Sequence, residues 1–392
     1  MTPGARIAAA IALLDEIAAG TPPEQALTRW ARASRFAGSG DRAAVRDHVF
    51  DALRCWRSCA ALGGAESGRG RMLGLLRAQG ADPAALFTGV GHAPPPLSAQ
   101  EEAAGLAPAD LPELVALDFP DWLAPALRAD LGARFAPVMA ALRHRAPVFL
   151  RANLARTTRE GAAAALEAEG VRTAPHPLSP AALEVLEGAR RVQQGETYSA
   201  GLVELQDAAS QAVADMVPLA PGQRVLDFCA GGGGKALALA AREPAAQVFA
   251  HDVAPARLRD LPARAERASA RITVVEGAQL AAEAPFEVVV CDAPCSGSGA
   301  WRRAPWGKWA LTPERLASLC ATQRDILETA AGLVAPGGHL AYFTCSLLDA
   351  ENEAPLRAFL AAHPGWECTA RRSLTPLDGA DGFFAAIVQR RR

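Results

Sequence analysis

The sequence predicts an α/β protein: an open, doubly wound sheet in the C-terminal half, preceded by a small α+β unit and an all-helical N-terminal region. Three observations point there. Apolar residues recur at spacings of three and four through residues 1 to about 140, as at Val45, Val49 and Leu53, which is the period of a half-buried helix. Residues 145–205 mix short strand-like runs with a helical one. From about residue 206, apolar runs of strand length alternate with helical stretches, the pattern of parallel strands joined by crossovers.

Residues 6–14 superficially resemble a signal peptide, but Asp15 and Glu16 interrupt the run. Ile7, Ile11, Leu14 and Ala18 share one helical face, so an amphipathic helix is expected. Thr21-Pro22-Pro23-Glu24 has the capping hydroxyl and first-turn proline of a helix start. Residues 63–70 and Pro94-Pro95-Pro96 read as loops. No apolar run approaches the roughly 18 residues that a membrane span needs. In the middle region, residues 148–153 read as a strand and 158–169 as a helix, with strand-like pieces near Val171, near Leu183 and at 201–205. The C-terminal sheet is expected to hold five strands, at 224–228, 247–252, 272–275, 286–291 and 339–344. These expectations divide the chain into domains at 1–140, 141–205 and 206–392. Ligands of such a sheet bind at the carboxyl ends of its strands.

A composition of 50% hydrophobic and 21% charged residues belongs to a folded globular chain rather than a disordered one. The net charge of −2 excludes a uniformly basic nucleic-acid binder, while leaving local basic patches open. The eight cysteines form no Cys-x-x-Cys pair, so no metal site is expected, and unpatterned thiols point to a reducing cytoplasm. Cys55 and Cys59, one helical turn apart, are expected in a core. Of the 40 Lys+Arg residues only Lys235 and Lys308 are lysine. A lysine that survives so strong a bias toward arginine is expected at a site that needs a compact ammonium.

Three constellations carry chemistry. Asp227-Phe228-Cys229-Ala230-Gly231-Gly232-Gly233-Gly234-Lys235 places glycines between a strand and a helix, where the backbone can approach a ligand. Asp252, at the end of the next strand, is placed to bind ribose hydroxyls. Dehydrogenases and methyltransferases share this much. Cys291-Asp292-Ala293-Pro294-Cys295-Ser296-Gly297-Ser298-Gly299 then presents a carboxylate and a thiol on a Pro/Gly-rich loop, where packing has no use for them. Tyr342-Phe343-Thr344-Cys345-Ser346 puts a second thiol at the same sheet edge.

These residues carry a resemblance. The segment from Gln206-Asp207-Ala208-Ala209-Ser210 to Asp381-Gly382-Phe383-Phe384 resembles the RsmB/Sun family of RNA cytosine-5 methyltransferases. Leu226-Asp227-Phe228-Cys229-Ala230, Asp292-Ala293-Pro294-Cys295-Ser296, Thr344-Cys345-Ser346 and Arg302-Arg303-Ala304-Pro305 with Lys308-Trp309 support it. It covers about half of the chain strongly. The N-terminal helices more weakly resemble the NusB-like domain of that family.

The resemblance implies a Rossmann-like class I methyltransferase sheet preceded by an RRM-like α+β subdomain and a NusB-like helical domain. It also implies S-adenosylmethionine as cofactor and RNA as substrate, with small-subunit rRNA the first expectation and tRNA the second. Cytosine carbon-5 is too weak a nucleophile to take a methyl group unaided, and a thiolate added to carbon-6 activates it. The chemistry of the sequence alone does not rank the two thiols. The resemblance assigns the attack to Cys345, and to Cys295 the removal of the carbon-5 proton and product release. Asp292 is expected to bind the cytosine ring nitrogen and amine. Cys229, Ala230, Gly231, Gly232, Gly233, Gly234, Lys235 and Asp252, with Asp292, are expected to hold the cofactor. Lys235 is also expected to lower the pKa of the attacking thiol. Arg302, Arg303 and Lys308 are candidate phosphate contacts, and the target base must be unpaired or flipped out.

The chain departs from the family pattern at three places: Gly231-Gly232-Gly233-Gly234-Lys235-Ala236 stands for the usual Ala-Pro-Gly-Gly-Lys-Thr, Ala278 for a frequent acid after Gly277, and Trp306-Gly307 for Asp-Ile. Two other readings stand beside the enzyme: a non-catalytic RNA-binding or assembly factor on the same fold, and a nucleotide-dependent oxidoreductase that leaves both cysteine loops unexplained. The helical region reads equally well as an RNA-binding module or as an arginine-coated bundle.

Overall fold

A computed structural model describes residues 1–392, which form two compact units. One comprises Met1–Arg145 together with Trp301–Ala310, the other Ala146–Ala300 with Leu311–Arg392.

The first unit is helical. Helices Pro3–Ala18, Pro23–Ala33, Ser39–Arg54, Trp56–Gly63 and Gly68–Ala78 bury a stripe that includes Ile7, Leu14, Ile17, Val45, Val49, Leu53 and Met72. Helices Trp56–Gly63 and Gly68–Ala78 cross at contact distance, because a β-carbon on Gly74 would lie 1.8 Å from the Cys59 carbonyl oxygen. The buried Asp118 carboxylate accepts from the backbone N–H groups of Arg57 and Ser58 at 3.0 and 2.9 Å, capping the first turn of Trp56–Gly63 from a distant loop. Arg143 pairs with the same carboxylate at 2.8 Å.

The ten residues Trp301–Ala310 are the unexpected member of this unit. The Arg54 guanidinium donates to the Arg302 carbonyl at 2.7 Å, the Lys308 ammonium to the Arg54 carbonyl at 3.2 Å, and the Trp309 indole to the Leu53 carbonyl at 2.7 Å. Trp306 meets Trp56 edge-on, with ring centroids 6.0 Å apart. The Lys308 and Trp309 bonds use the carbonyls that the end of helix Ser39–Arg54 leaves without intrahelical partners. They also correct an expectation. Arg302 and Lys308 are buried, at 6% and 2% exposure, so neither presents its charge to a phosphate. Arg303 stays half-buried on the same segment.

The second unit carries both sheets. A four-stranded antiparallel sheet has the order β2-β3-β1-β4, from β1 (Val148–Ala152), β2 (Arg172–Pro175), β3 (Ala182–Glu187) and β4 (Val203–Leu205). Helix Arg159–Ala168 connects β1 to β2, and its N-cap Thr158 accepts from the Gly161 N–H at 2.9 Å.

The larger sheet contains β5 (Arg224–Asp227), β6 (Gln247–Ala250), β7 (Ile272–Val274), β8 (Phe286–Asp292), β9 (Val334–Thr344), β10 (Trp366–Leu374) and β11 (Phe383–Arg390). Its order is β10-β11-β9-β8-β5-β6-β7. β5 pairs in parallel with both β6 and β8, while β11 runs antiparallel to β9 and β10. The chain winds outward from β5 in both directions, which opens a crevice at the carboxyl ends of β5 and β8. The central strands, buried on both faces, are rich in valine, as in Val288-Val289-Val290. The expected five strands are joined by β10 and β11. No helix is long and apolar enough to cross a membrane.

Candidate active site

Each chemically marked residue lies at or just beyond the carboxyl end of a strand: Asp227 on β5, Asp252 after β6, Asp292 on β8 and Cys345 after β9. Residue Asp292 pairs in register with Phe343, and the Ala293 N–H donates to the Phe343 carbonyl at 2.9 Å. That pairing carries the cysteine loops side by side. The Cys295 and Cys345 sulfurs stand 3.4 Å apart, and both residues are partly exposed. The neighbouring Cys345 thiol, burial and the charges of Cys345 and Glu351 together push the Cys295 thiol well above its ordinary value. In the hydrogen bond that the two thiols share, either sulfur can be the donor.

A buried polar cluster holds the two loops. The Glu351 carboxylate, fully buried, accepts from the Ser296 N–H at 2.8 Å, from the Ser296 and Ser346 hydroxyls at 2.5 Å each, and from Gln323 Nε2 at 3.1 Å. Gln323 also donates to the Pro294 carbonyl at 2.9 Å, and the Gly299 N–H to the Cys345 carbonyl at 3.0 Å. Sequence reasoning missed Glu351 and Gln323. The only sequence signal was an acid six residues beyond Cys345, in a stretch that otherwise reads as a helix start.

Lys235 opens helix Gly234–Arg242 and is buried. Its ammonium donates to Asp292 Oδ2 at 3.0 Å and to Ser210 Oγ at 2.6 Å, and it lies over the Phe383 ring, 4.8 Å from the centroid. Lys235 was expected to ionise a thiol; instead it neutralises the carboxylate. Asp292 is one-third exposed on its side chain, so the pair faces the crevice.

The glycine loop and Asp252 form one body. Gly231 N–H and Ala254 N–H each donate to the Asp252 carboxylate at 2.9 Å, and Arg257 pairs with it at 3.2 Å from the solvent side. Gly233 is the N-cap of the following helix at φ +80°, and a β-carbon there would lie 2.2 Å from Leu261 Cδ1. Asp227 Oδ2 accepts from the Ala236 N–H at 2.9 Å, while Oδ1 is buried without a partner. Burial, with Asp292 nearby, pushes the Asp227 carboxyl up to about 7. Cys229 is also pushed up, chiefly by burial. Beside this loop lies a cleft of about 250 Å³ lined by Phe228, Cys229, His251, Asp252, Val253 and Ile326 among others. Val253 is 90% exposed there, an apolar side chain set against a carboxylate, as an adenosine needs. The residues present fit a nucleoside-bearing cofactor. Ala278 is exposed on the turn Gly277–Gln279 and contributes no acid to the cleft.

Comparison with known proteins agrees with this geometry. Residues 214–387 match the family model described as 16S rRNA methyltransferase RsmB/F, and residues 119–193 match the RsmF/B-like ferredoxin-like domain. A ribosomal RNA small subunit methyltransferase B of Xylella fastidiosa (strain 9a5c) is 37% identical over 68% of this chain and 68% of its own length. Its counterpart in Xanthomonas campestris is 35% identical over 69% of this chain and 66% of its own, and that of Salmonella arizonae 33% identical over 68% and 65%. The matches thus span about two thirds of these relatives. Among solved structures, PH0851 superposes at a TM-score of 0.76 with 22% identity, covering 100% of this chain and 99% of that one. A methyltransferase homolog from Pyrococcus horikoshii gives 0.64 with 23% identity over 73% of this chain and 100% of that one; both share the fold. Family model, relatives and fold agree, and the chain belongs to the RsmB/F family of 16S rRNA methyltransferases.

Proposed function

We propose that this protein transfers a methyl group from S-adenosylmethionine to carbon-5 of a cytosine in small-subunit rRNA, through a covalent bond between Cys345 and the base. The observation that carries this reading is the 3.4 Å separation of two partly exposed sulfurs at the sheet edge that holds the cofactor cleft and Asp292.

Gly231 to Lys235 and Asp252 would hold the cofactor, which when bound supplies an electrophilic methyl on a sulfonium. The Cys345 thiolate, stabilised by the Cys295 S–H, adds its electron pair to carbon-6 of the flipped-out base, and the ring electrons move toward carbon-5 and the exocyclic edge. The Asp292 carboxylate, held by Lys235, accepts from the exocyclic amine and orients the base, while the Lys235 ammonium beside it offsets the negative charge that builds on the ring. Carbon-5 would then bond the methyl carbon with the displaced electron pair, the electrons of the donor's sulfur–methyl bond staying on the departing sulfur as a neutral thioether. Once the Cys345 sulfur is bonded to carbon, two of the influences that kept Cys295 protonated are gone: its hydrogen bond and its charge. Cys295, partly exposed, would then give its proton to solvent water and accept the one on carbon-5; the C–H electron pair reforms the ring double bond and expels Cys345 as the thiolate. Arg303 remains the candidate phosphate contact of the three named, and the helical unit, read as a NusB-like arm, is the proposed second RNA surface.

Incubating purified protein with 16S rRNA and labelled S-adenosylmethionine tests the reading. Incorporation that Cys345→Ala abolishes, at a position that resists bisulfite conversion, is expected. A non-catalytic assembly factor gives RNA binding without incorporation, which overturns it.

A further inference from the structure

The carboxylate of Glu351 is a fully enclosed acid of the second unit that the mechanism above does not use. It sits on the turn Asp349–Glu351, between β9 and helix Glu353–Ala362. All four of its donors are neutral: the Ser296 N–H and hydroxyl, the Ser346 hydroxyl and the Gln323 amide. Two of those donors follow Cys295 directly and one follows Cys345 directly. Its own backbone carbonyl accepts from the Tyr342 hydroxyl at 2.6 Å, fixing the turn to β9. A carboxylate with no cation to neutralise it is costly to bury, and four donors offset only part of that cost. A packing role alone would be filled as well by an uncharged side chain.

We propose that Glu351 is a positioning residue that ties the two cysteine loops together and orders the thiol pair, so that Cys345 rather than Cys295 is the sulfur that reacts with an electrophile. The ordering is asymmetric because the carboxylate grips the Cys295 loop through both the backbone and the hydroxyl of Ser296, but the Cys345 loop through one hydroxyl. Its negative charge opposes ionisation of the Cys295 thiol, in the same direction as burial and the Cys345 sulfur. The other titratable groups packed around the cluster are Tyr342 on β9 and Cys320 on helix Pro313–Leu333. Both are pushed up, with Glu351 among the causes; the cation acting there is Arg324 on the same helix, which pulls the Cys320 thiol the other way and is not among the donors to Glu351. Lys235, the cation of the site, pairs with Asp292 on the preceding strand end.

This inference rests on the reading of Cys295 and Cys345 as the reacting thiols, but its test needs neither RNA nor cofactor. The full chain is alkylated with limiting iodoacetamide from pH 6 to 9.5, and modification at each cysteine is followed by peptide mass spectrometry. In the wild type, Cys345 is expected to react about tenfold faster than Cys295 at pH 7.5, because the hydrogen bond with Cys345, burial and the Glu351 carboxylate hold the Cys295 thiol protonated there. Glu351→Gln keeps the shape and removes the charge. It should lower the pH midpoint of Cys295 alkylation and shrink the ratio at least about threefold. Glu351→Asp, which restores the charge, should recover the wild-type order, and it carries the test if the glutamine variant fails to fold. Equal rates in the wild type, an unchanged ratio in Glu351→Gln, or a lost order in Glu351→Asp overturns the proposal. Absence of methyl transfer with the thiol order intact would instead count against the catalytic reading.

Discussion

Replacing Lys308 with methionine tests most directly the difference between the charge as a ligand for RNA and the charge as part of a core. The ammonium is 2% exposed, and burial pushes it down from the usual 10.5 to about 8. At about 1.4 kcal/mol per tenfold change in proton affinity, the buried charge costs the fold about 3 kcal/mol at neutral pH. Against this stand the hydrogen bond to the Arg54 carbonyl and the Trp309 ring 4.6 Å away, together worth about 2–4 kcal/mol. Methionine has nearly the same length and no charge to desolvate, so Lys308→Met should lie within about 1 kcal/mol of the wild type at pH 7. The two should part as pH rises. Between about 8 and 10.5 the unfolded chain holds the proton that the folded chain has released, so the wild type gains stability with pH across that window, by up to about 3 kcal/mol. The variant lacks that gain, and below pH 8 the full cost is present in the wild type. Urea unfolding of both proteins at pH 7, 9 and 10.5 measures the divergence. The slope of RNA affinity against salt should be the same for both, whereas loss of a phosphate contact lowers it by about 0.7–0.9. A stability difference that does not change with pH, or a shallower salt slope in the variant, would refute the argument.

Three further outcomes are expected. Cys295→Ser should build up a complex of protein and RNA stable in SDS, joined through Cys345, because addition proceeds while elimination stalls; a variant that turns over without such a complex removes Cys295 from proton abstraction. Asp227 is held protonated up to about 7, so the native state carries an extra proton between about pH 4 and 7 and loses stability as pH rises through that range; Asp227→Asn should flatten the slope by about 4 kcal/mol at most in pH-dependent urea unfolding. Lys235→Met strips Asp292 of its cation, and because Asp292 is one-third exposed the cost should be about 2 kcal/mol, read as a melting temperature lower by about 4–8 °C.

The fold class was legible because its determinants are local. Glycines after Asp227, valine-rich central strands and a capping threonine at 158 each dictate their element within a few residues. β10 escaped notice because at the sheet's edge it is mostly exposed and mixes Glu367, Thr369, Arg371 and Ser373 with few apolar residues, so no apolar period marks it. β11 carries the apolar run Phe383-Phe384-Ala385-Ala386-Ile387-Val388, of which the sequence reading used only Phe383-Phe384, as part of a motif and not as a strand. The two lysines show both sides of the reasoning. A compact ammonium is indeed what each site holds, since Lys235 and Lys308 are both buried. Sequence order alone could not tell that one faces a carboxylate and the other a main-chain carbonyl 254 residues away. Glu351 was equally hidden, because its importance comes from four donors gathered by tertiary packing, and no spacing rule announces that.

The strip of chain from Trp301 to Ala310 alters what counts as a removable piece of this protein. A fragment starting at residue 146 is not a trimmed catalytic domain. It would retain two indoles, Trp306 and Trp309, and an ammonium whose hosts had been deleted, exposing a sticky patch downstream of Cys295. Grafting the helical arm onto another scaffold likewise requires two separate sequences to be carried across together. Drift in either one is constrained by the other, so insertions accepted before residue 145 will be those that leave the end of helix Ser39–Arg54 able to receive the strip.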